Sequence, residues 1–345
     1  MQVRNSDCLN AWICPQEEHN TVSTSQGPAP RSIGFLLLDD FTFISLASAI
    51  EPLRMANQLS GRELYRWLTL GKDAKPVRAS AGLQITPDAK MEDASTLSTV
   101  IVCGGMGIQN SVSPEQVLWL QHQAHLGVRL GAICTGSWAL AKAGLLEGHR
   151  CSVHWQCLAA MREAFPGAET TSHLFSIDRN HLTSAGGTAP MDMMLHLIRS
   201  EHGRELAAAI SDMFMYERMR DDQDHQRIPL KHTLGENQPR LQAAILLMEA
   251  NLDAPLELNA LAFKVGVSRR QLERLFHKYL NLSPARYYLK LRLVRAQQLL
   301  KQTSSPVLKI GTLCGFGSAA QFTRSYRGYF GVAPRDERTS SNTYG

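Results

Sequence analysis

Four short apolar runs limit what the first part of this chain can fold into. "IGFLLLD" (33–39), "YRWLTLG" (65–71), "TVIVCGG" (99–105) and "RLGAICT" (129–135) are bounded by turn residues, with helical stretches such as 46–59 and 114–126 between them. Strands that are apolar on both faces and alternate with helices specify a parallel α/β sheet covered on both sides. "RCSVHW" (150–155), a hairpin around "LFSIDRNHLTSAGG" (174–187) and helices near 189–201 and 203–219 complete this body.

The length of 345 residues accommodates two domains with cores of their own. A hydrophobic content of 44% and a charged content of 19% are ordinary for soluble globular protein. The longest apolar runs stop short of a membrane span. The N-terminus shows no positive-then-apolar secretion pattern, so the expected location is the cytoplasm, without a membrane partner. Seven scattered cysteines argue against a disulfide framework. Cys8 and Cys14 form no paired motif, and neither a metal nor another cofactor is expected. Cys151, Cys157 and Cys314 read as core residues. The expected division is a disordered leader (1–31), a body (32–219), a polar, proline-broken linker (220–238), an all-helical domain (239–338) and a short tail (339–345).

Charge separates the two halves. Residues 239–345 hold 16 Lys and Arg against 6 Asp and Glu, whereas the remainder holds 20 against 25. A basic domain on an acidic body points to a polyanion partner. In the basic domain, a helix over 256–265 is followed by "GVS" (266–268), with Gly266 at the turn and Ser268 as cap of the next helix. There Leu272, Leu275, Phe276 and Tyr279 form an inward stripe. Arg270, Glu273, Arg274 and His277 share the opposite face, where Arg can hold guanine and Glu can accept from cytosine in the major groove. The unit recurs about fifty residues later: a helix over 306–314, the turn "GFGS", and a second reader with Phe322, Tyr326 and Tyr329 inward and Gln321 and Arg324 outward. A long helix over 284–303 spaces the units, and its Arg and Lys are placed to meet phosphates. Two readers on one spacer would enter successive major grooves, about 34 Å apart.

"CGFGSAAQFTRSYRGYFGVAPRDER" (314–338) and "SRRQLERLFHKYLNLSPARYY" (268–288) resemble the two halves of the DNA-binding domain of AraC/XylS-family transcription regulators. The resemblance covers about 240–338. It implies double-stranded DNA as partner, with Arg270, Glu273, Arg274, Gln321 and Arg324 as base readers.

In the body, "AICTG" (132–136) ends a strand at Cys134 and starts a helix. Such an elbow offers free N–H groups to an anion or thiolate. The "CGG" of Gly104 and Gly105 ends the preceding strand and would supply further N–H groups, and His154 is the candidate base. The layout resembles the PfpI-like class of the glutamine amidotransferase-like superfamily over about 33–216, which implies a flavodoxin-like sandwich. Members with chemistry carry an acid where Ser45 stands here, with Glu51 at a neighbouring acidic position. Ser45 cannot orient an imidazolium as a carboxylate does, so a non-catalytic sensor is expected. The two domains together resemble the GlxA-type transcriptional regulators, and stretches such as "AGLQITPDAKM" are similar to regulators of glycine betaine, carnitine and arginine catabolism.

The resemblance implies an activator of a catabolic operon, a homodimer acting with RNA polymerase and a small-molecule effector. A zwitterionic effector would place its carboxylate on Gly104, Gly105, Cys134 and Thr135. Its ammonium would lie near Trp155, Trp138 or Glu51, with His154 also in the pocket. Two alternatives remain open: a cysteine-dependent hydrolase or amidase targeted to DNA, and a redox sensor at Cys134.

Overall fold

A computed structural model of the chain describes residues 29–94, 96–226 and 238–340. The expected leader up to residue 28 and the closing residues 341–345 lie outside these. The body is built on a seven-stranded sheet. Its spatial order is Phe175–Asp178, His181–Ser184, Arg129–Ile133, Thr99–Cys103, Arg31–Leu37, Tyr65–Gly71 and Ala89–Lys90. All neighbouring pairs are parallel except the hairpin Phe175–Asp178 with His181–Ser184. The four expected strands are present, each adjusted by at most two residues at its ends.

Alternation along these strands explains why they are apolar throughout. Ile33, Phe35, Leu37, Ile101 and Ile133 enter one buried cluster, with the helices Phe43–Ser60 and Ala189–His202. Leu36, Val100, Val102, Leu130 and Ala132 enter another on the opposite face, with the helices Pro114–His125, Ser137–Lys142 and Leu158–Ala164. The result is a three-layer α/β sandwich. Register places Leu37, Cys103 and Ile133 side by side, so the loops after these strands converge on the carboxyl edge, where α/β sheets place their sites.

The tail is all helical. The helices Pro239–Ala250, Leu258–Lys264 and Arg269–Leu280 form the first unit; Val307–Leu313, Ala319–Phe330 and Pro334–Ser340 form the second. The spacer helix Pro284–Gln302 belongs to both cores. Its Tyr287 and Tyr288 pack with Leu272 and Phe276, while its Leu293, Ala296 and Leu299 pack with Phe322 and Tyr326. One continuous helix therefore fixes the two units to each other.

Residues 220–226, at the start of the expected linker, are bonded to the body. Leu174 donates to the Asp224 carbonyl (2.8 Å) and Gln226 N–H to that of Ser172 (2.9 Å). The rest of the expected linker, 227–237, lies outside the described residues.

Candidate functional site

Cys134 follows the strand Arg129–Ile133 with φ 60°, the left-handed region. A non-glycine residue there costs about 1–2 kcal/mol, so the surroundings must impose it. They do so through close packing. A Cβ on Gly136 would lie 2.2 Å from the Val102 carbonyl oxygen, and one on Gly104 would lie 2.4 Å from Gly136 N. Gly136→Ala should therefore push the elbow off its neighbouring strand, at a cost of about 1–3 kcal/mol, seen as a lowered urea midpoint. An unchanged midpoint would show that the contact relaxes freely.

The thiol is buried, and this raises its pKa; donation from the Thr42 hydroxyl (Oγ1 to Sγ 3.2 Å) and the Thr135 backbone N–H acts the other way. Gly186, with φ +92°, rests against the same side chain: a Cβ there would be 2.8 Å from Cys134 Cβ. The "AGG" loop (185–187) thus forms one wall of the elbow. His154 is joined to Cys134 through its backbone, its N–H donating to the Cys134 carbonyl at 3.0 Å, while its ring stacks obliquely on Trp155 at 5.6 Å.

Several expected roles change. The Gly104 N–H is not open to an anion, because it donates to the Ile133 carbonyl (3.3 Å). Thr135 is buried and its hydroxyl holds the Gly105 carbonyl (2.7 Å), so these two residues knit the elbow to its neighbouring loop. Glu51 is no unclaimed counter-charge: its carboxylate takes two hydrogen bonds from Arg54, at 2.9 and 2.7 Å. Ser45 is fully buried, and its hydroxyl has no hydrogen-bond partner among the described residues. Trp138 is a core residue, edge-on to Phe165 at 4.9 Å. Trp155 lines a cavity between body and tail.

Both reader helices begin with a serine cap, the one at Ser268 as expected. Ser268 accepts from Gln271 N–H while the Gln271 side chain returns to Ser268 N–H, and Ser318 accepts from Gln321 N–H. Arg270, Arg274, Gln321 and Arg324 are exposed. The three arginines make no ion pair with another described residue, which leaves their guanidinium groups available to DNA. Glu273 is only half-exposed and is paired with Arg269 (3.1 Å). Gln321 Oε1 accepts from Gly317 N–H (3.2 Å), so its carboxamide oxygen is engaged at the start of the helix. Tyr329 is 48% exposed, not inward; Phe330 takes the core position and stacks on Tyr326 at 4.6 Å. Arg292 of the spacer, one of the cations expected to face phosphates, is engaged within the protein. It caps the helix Val307–Leu313 by donating to the carbonyls of Cys314 (2.7 Å) and Gly315 (2.6 Å).

Thr42 and a clamp below the elbow were not expected. Asp192, wholly buried, accepts from Arg220 Nη2 at 2.6 Å, from Arg220 N–H at 2.8 Å and from Tyr216 Oη at 3.0 Å. Arg220 also reaches the Thr188 hydroxyl (2.7 Å), one residue beyond the "AGG" wall. The segment leaving the body is thereby tied to the elbow loop.

An α/β elbow domain followed by two capped helix–turn–helix units on one spacer defines a DNA-binding transcription regulator. Residues 31–200 match the DJ-1/PfpI family and residues 261–340 match the helix-turn-helix domain family. Over 313 residues the chain is 67% identical to the HTH-type transcriptional regulator GbdR of Pseudomonas aeruginosa (strain UCBPP-PA14), covering 91% of this chain and 85% of that one. It is 34% identical over 312 residues to the HTH-type transcriptional regulator GlxA of Rhizobium meliloti (strain 1021), covering 90% of this chain and 96% of that one. The crystal structure of an AraC family transcriptional regulator from Pseudomonas putida matches 54% of this chain and 100% of its own, at 29% identity and a TM-score of 0.51. The chain belongs to the GlxA-type family of transcriptional regulators, with a DJ-1/PfpI body and an AraC-type DNA-binding domain.

Among the described residues no helix is long and apolar enough to cross a membrane, and no group of His, Cys, Asp or Glu is arranged to hold a metal ion.

Proposed function

We propose that this regulator activates a catabolic operon when its body binds a small amino-acid-like or quaternary-amine metabolite beside Cys134. It would act in the cytoplasm as a homodimer that engages RNA polymerase. The observation that carries the reading is the strained Cys134 backbone held between the Thr42 hydroxyl and the Gly186 loop. Strain of this kind is kept where a site needs it. The resemblance to regulators of glycine betaine and carnitine catabolism favours a zwitterion as effector.

Sensing is favoured over turnover on two grounds. Burial keeps the Cys134 thiol protonated at neutral pH, which makes it a poor nucleophile and slow to oxidise. Ser45 offers no carboxylate where the catalytic relatives carry one. Binding at the elbow would move the 185–188 loop and, through Thr188 and Arg220, the segment that leads to the tail.

Glycine betaine at a hundred times its dissociation constant should stabilise the full chain by about 2.7 kcal/mol, read as a raised melting temperature, with no ligand consumed. It should also change the affinity for operator DNA, since coupling is reciprocal. If betaine, carnitine and related zwitterions leave melting, DNA affinity and transcription unchanged, the sensor reading fails. Cys134→Ser separates sensing from turnover: effector-dependent transcription should persist in the variant, whereas a mechanism needing the sulfur as nucleophile would be silent.

A further inference from the structure

The body and the tail border a half-open cavity of about 360 Å³. Trp155 and Leu158 line it from the body; Leu291 and Val294 of the spacer helix line it from the tail. Two guanidinium groups, Arg162 from the body and Arg295 from the spacer, also line it and repel one another. Neither forms an ion pair with a described residue. Arg162 spends its Nε and one terminal nitrogen on Thr170. Arg295 Nε is enclosed with no hydrogen-bond partner, so turning this group toward an anion breaks no bond at that nitrogen. Glu249, the one carboxylate among the described residues of the lining, already has an interaction partner.

We propose that this junction cavity is a binding site for a small organic carboxylate, whose charge sits between Arg162 and Arg295 and whose apolar part lies against Trp155, Leu158, Leu291 and Val294. A volume of this size is typical of small-molecule sites, and domain interfaces are common places for them. An anion here relieves the repulsion between the two arginines and leaves an enclosed donor no longer idle. Because one arginine belongs to each domain, the bound anion fastens the spacer helix to the body, beside the existing pair of Lys309 with Glu163. The site is separate from the elbow at Cys134, and its ligand need not be the effector proposed there.

Calorimetric titration of the full chain with phenylacetate, and with phenylacetamide as its uncharged counterpart, tests this. Phenylacetate should bind saturably with one equivalent per chain, and the amide at least about tenfold more weakly. Arg295→Gln and Arg162→Gln should each weaken phenylacetate at least about tenfold, with Arg295→Lys between Arg295→Gln and the parent. Leu291→Trp, which fills the cavity, should abolish binding. Equal affinity for acid and amide, no saturable binding of phenylacetate, or full affinity in an Arg295→Gln protein with an unaltered melting temperature would each overturn the proposal.

Discussion

Replacing both Arg274 and Arg324 by alanine should leave the protein folded and unable to find its operator. Both side chains are exposed and make no ion pair with a described residue, so neither substitution removes core packing. Each arginine that reads a base edge is worth about 1–3 kcal/mol of discrimination. They sit on separate units, so their contributions should add. The double variant is therefore expected to lose about 2–6 kcal/mol, or roughly thirtyfold to twenty-thousandfold in specific affinity. Binding to unrelated DNA, carried by phosphate contacts, should fall much less. A titration of selected and random duplexes at one salt concentration reads this directly, and a double variant within threefold of the parent on both would refute the assignment. Arg274→Ala alone should relax specificity in one half of the site only.

The other large effect is expected far from DNA. Asp192→Ala removes a carboxylate that holds Arg220 and Tyr216 inside the protein. Burial pushes the pKa of Asp192 up despite these donors, so the ionised pair is not itself a large source of stability. Breaking it is a different matter, because a half-buried guanidinium is then left without its partner. Such a loss costs about 3–5 kcal/mol. Replacing both members, Asp192→Leu with Arg220→Met, should recover most of that cost. Urea unfolding of the single and double variants checks the claim; a single variant as stable as the parent would contradict it. The clamp also ties the exit segment to the elbow loop, so Asp192→Ala should weaken the response of DNA binding to effector even where the protein remains folded.

Much of this arrangement was legible in the sequence because local rules and global fold agree. Apolar runs with turn residues marked the four parallel strands, and Ser268 announced its helix as a cap. The inward stripe failed at one place. Tyr329 and Phe330 are adjacent, both fit a helical period, and the packing of Tyr326 against Phe330 decides between them. The last helix, Pro334–Ser340, escaped because its hold is tertiary: Glu337 accepts from Tyr326 Oη (2.9 Å) and Gln297 (3.0 Å) and pairs with Lys301.

At the elbow, chain position identified Cys134, yet neither the Gly186 wall against it nor what each backbone group does. Gly104 looked like an anion donor because it follows a strand, and the sheet claims its N–H. Thr42 carried no signal, since a threonine before a helix is ordinarily a cap. Trp155 follows His154 directly and their rings are neighbours, yet its indole also lines the cavity between body and tail, a junction that no local pattern in the sequence marks.

Chemical footprinting of the full chain on a duplex selected from a random pool tests the central claim most directly. Two patches of protected guanine N7 in the major groove, about one helical turn apart on one face, are the expected result. Protection of a single patch, or of phosphates without any base, would contradict a protein that reads DNA with two helices on one spacer.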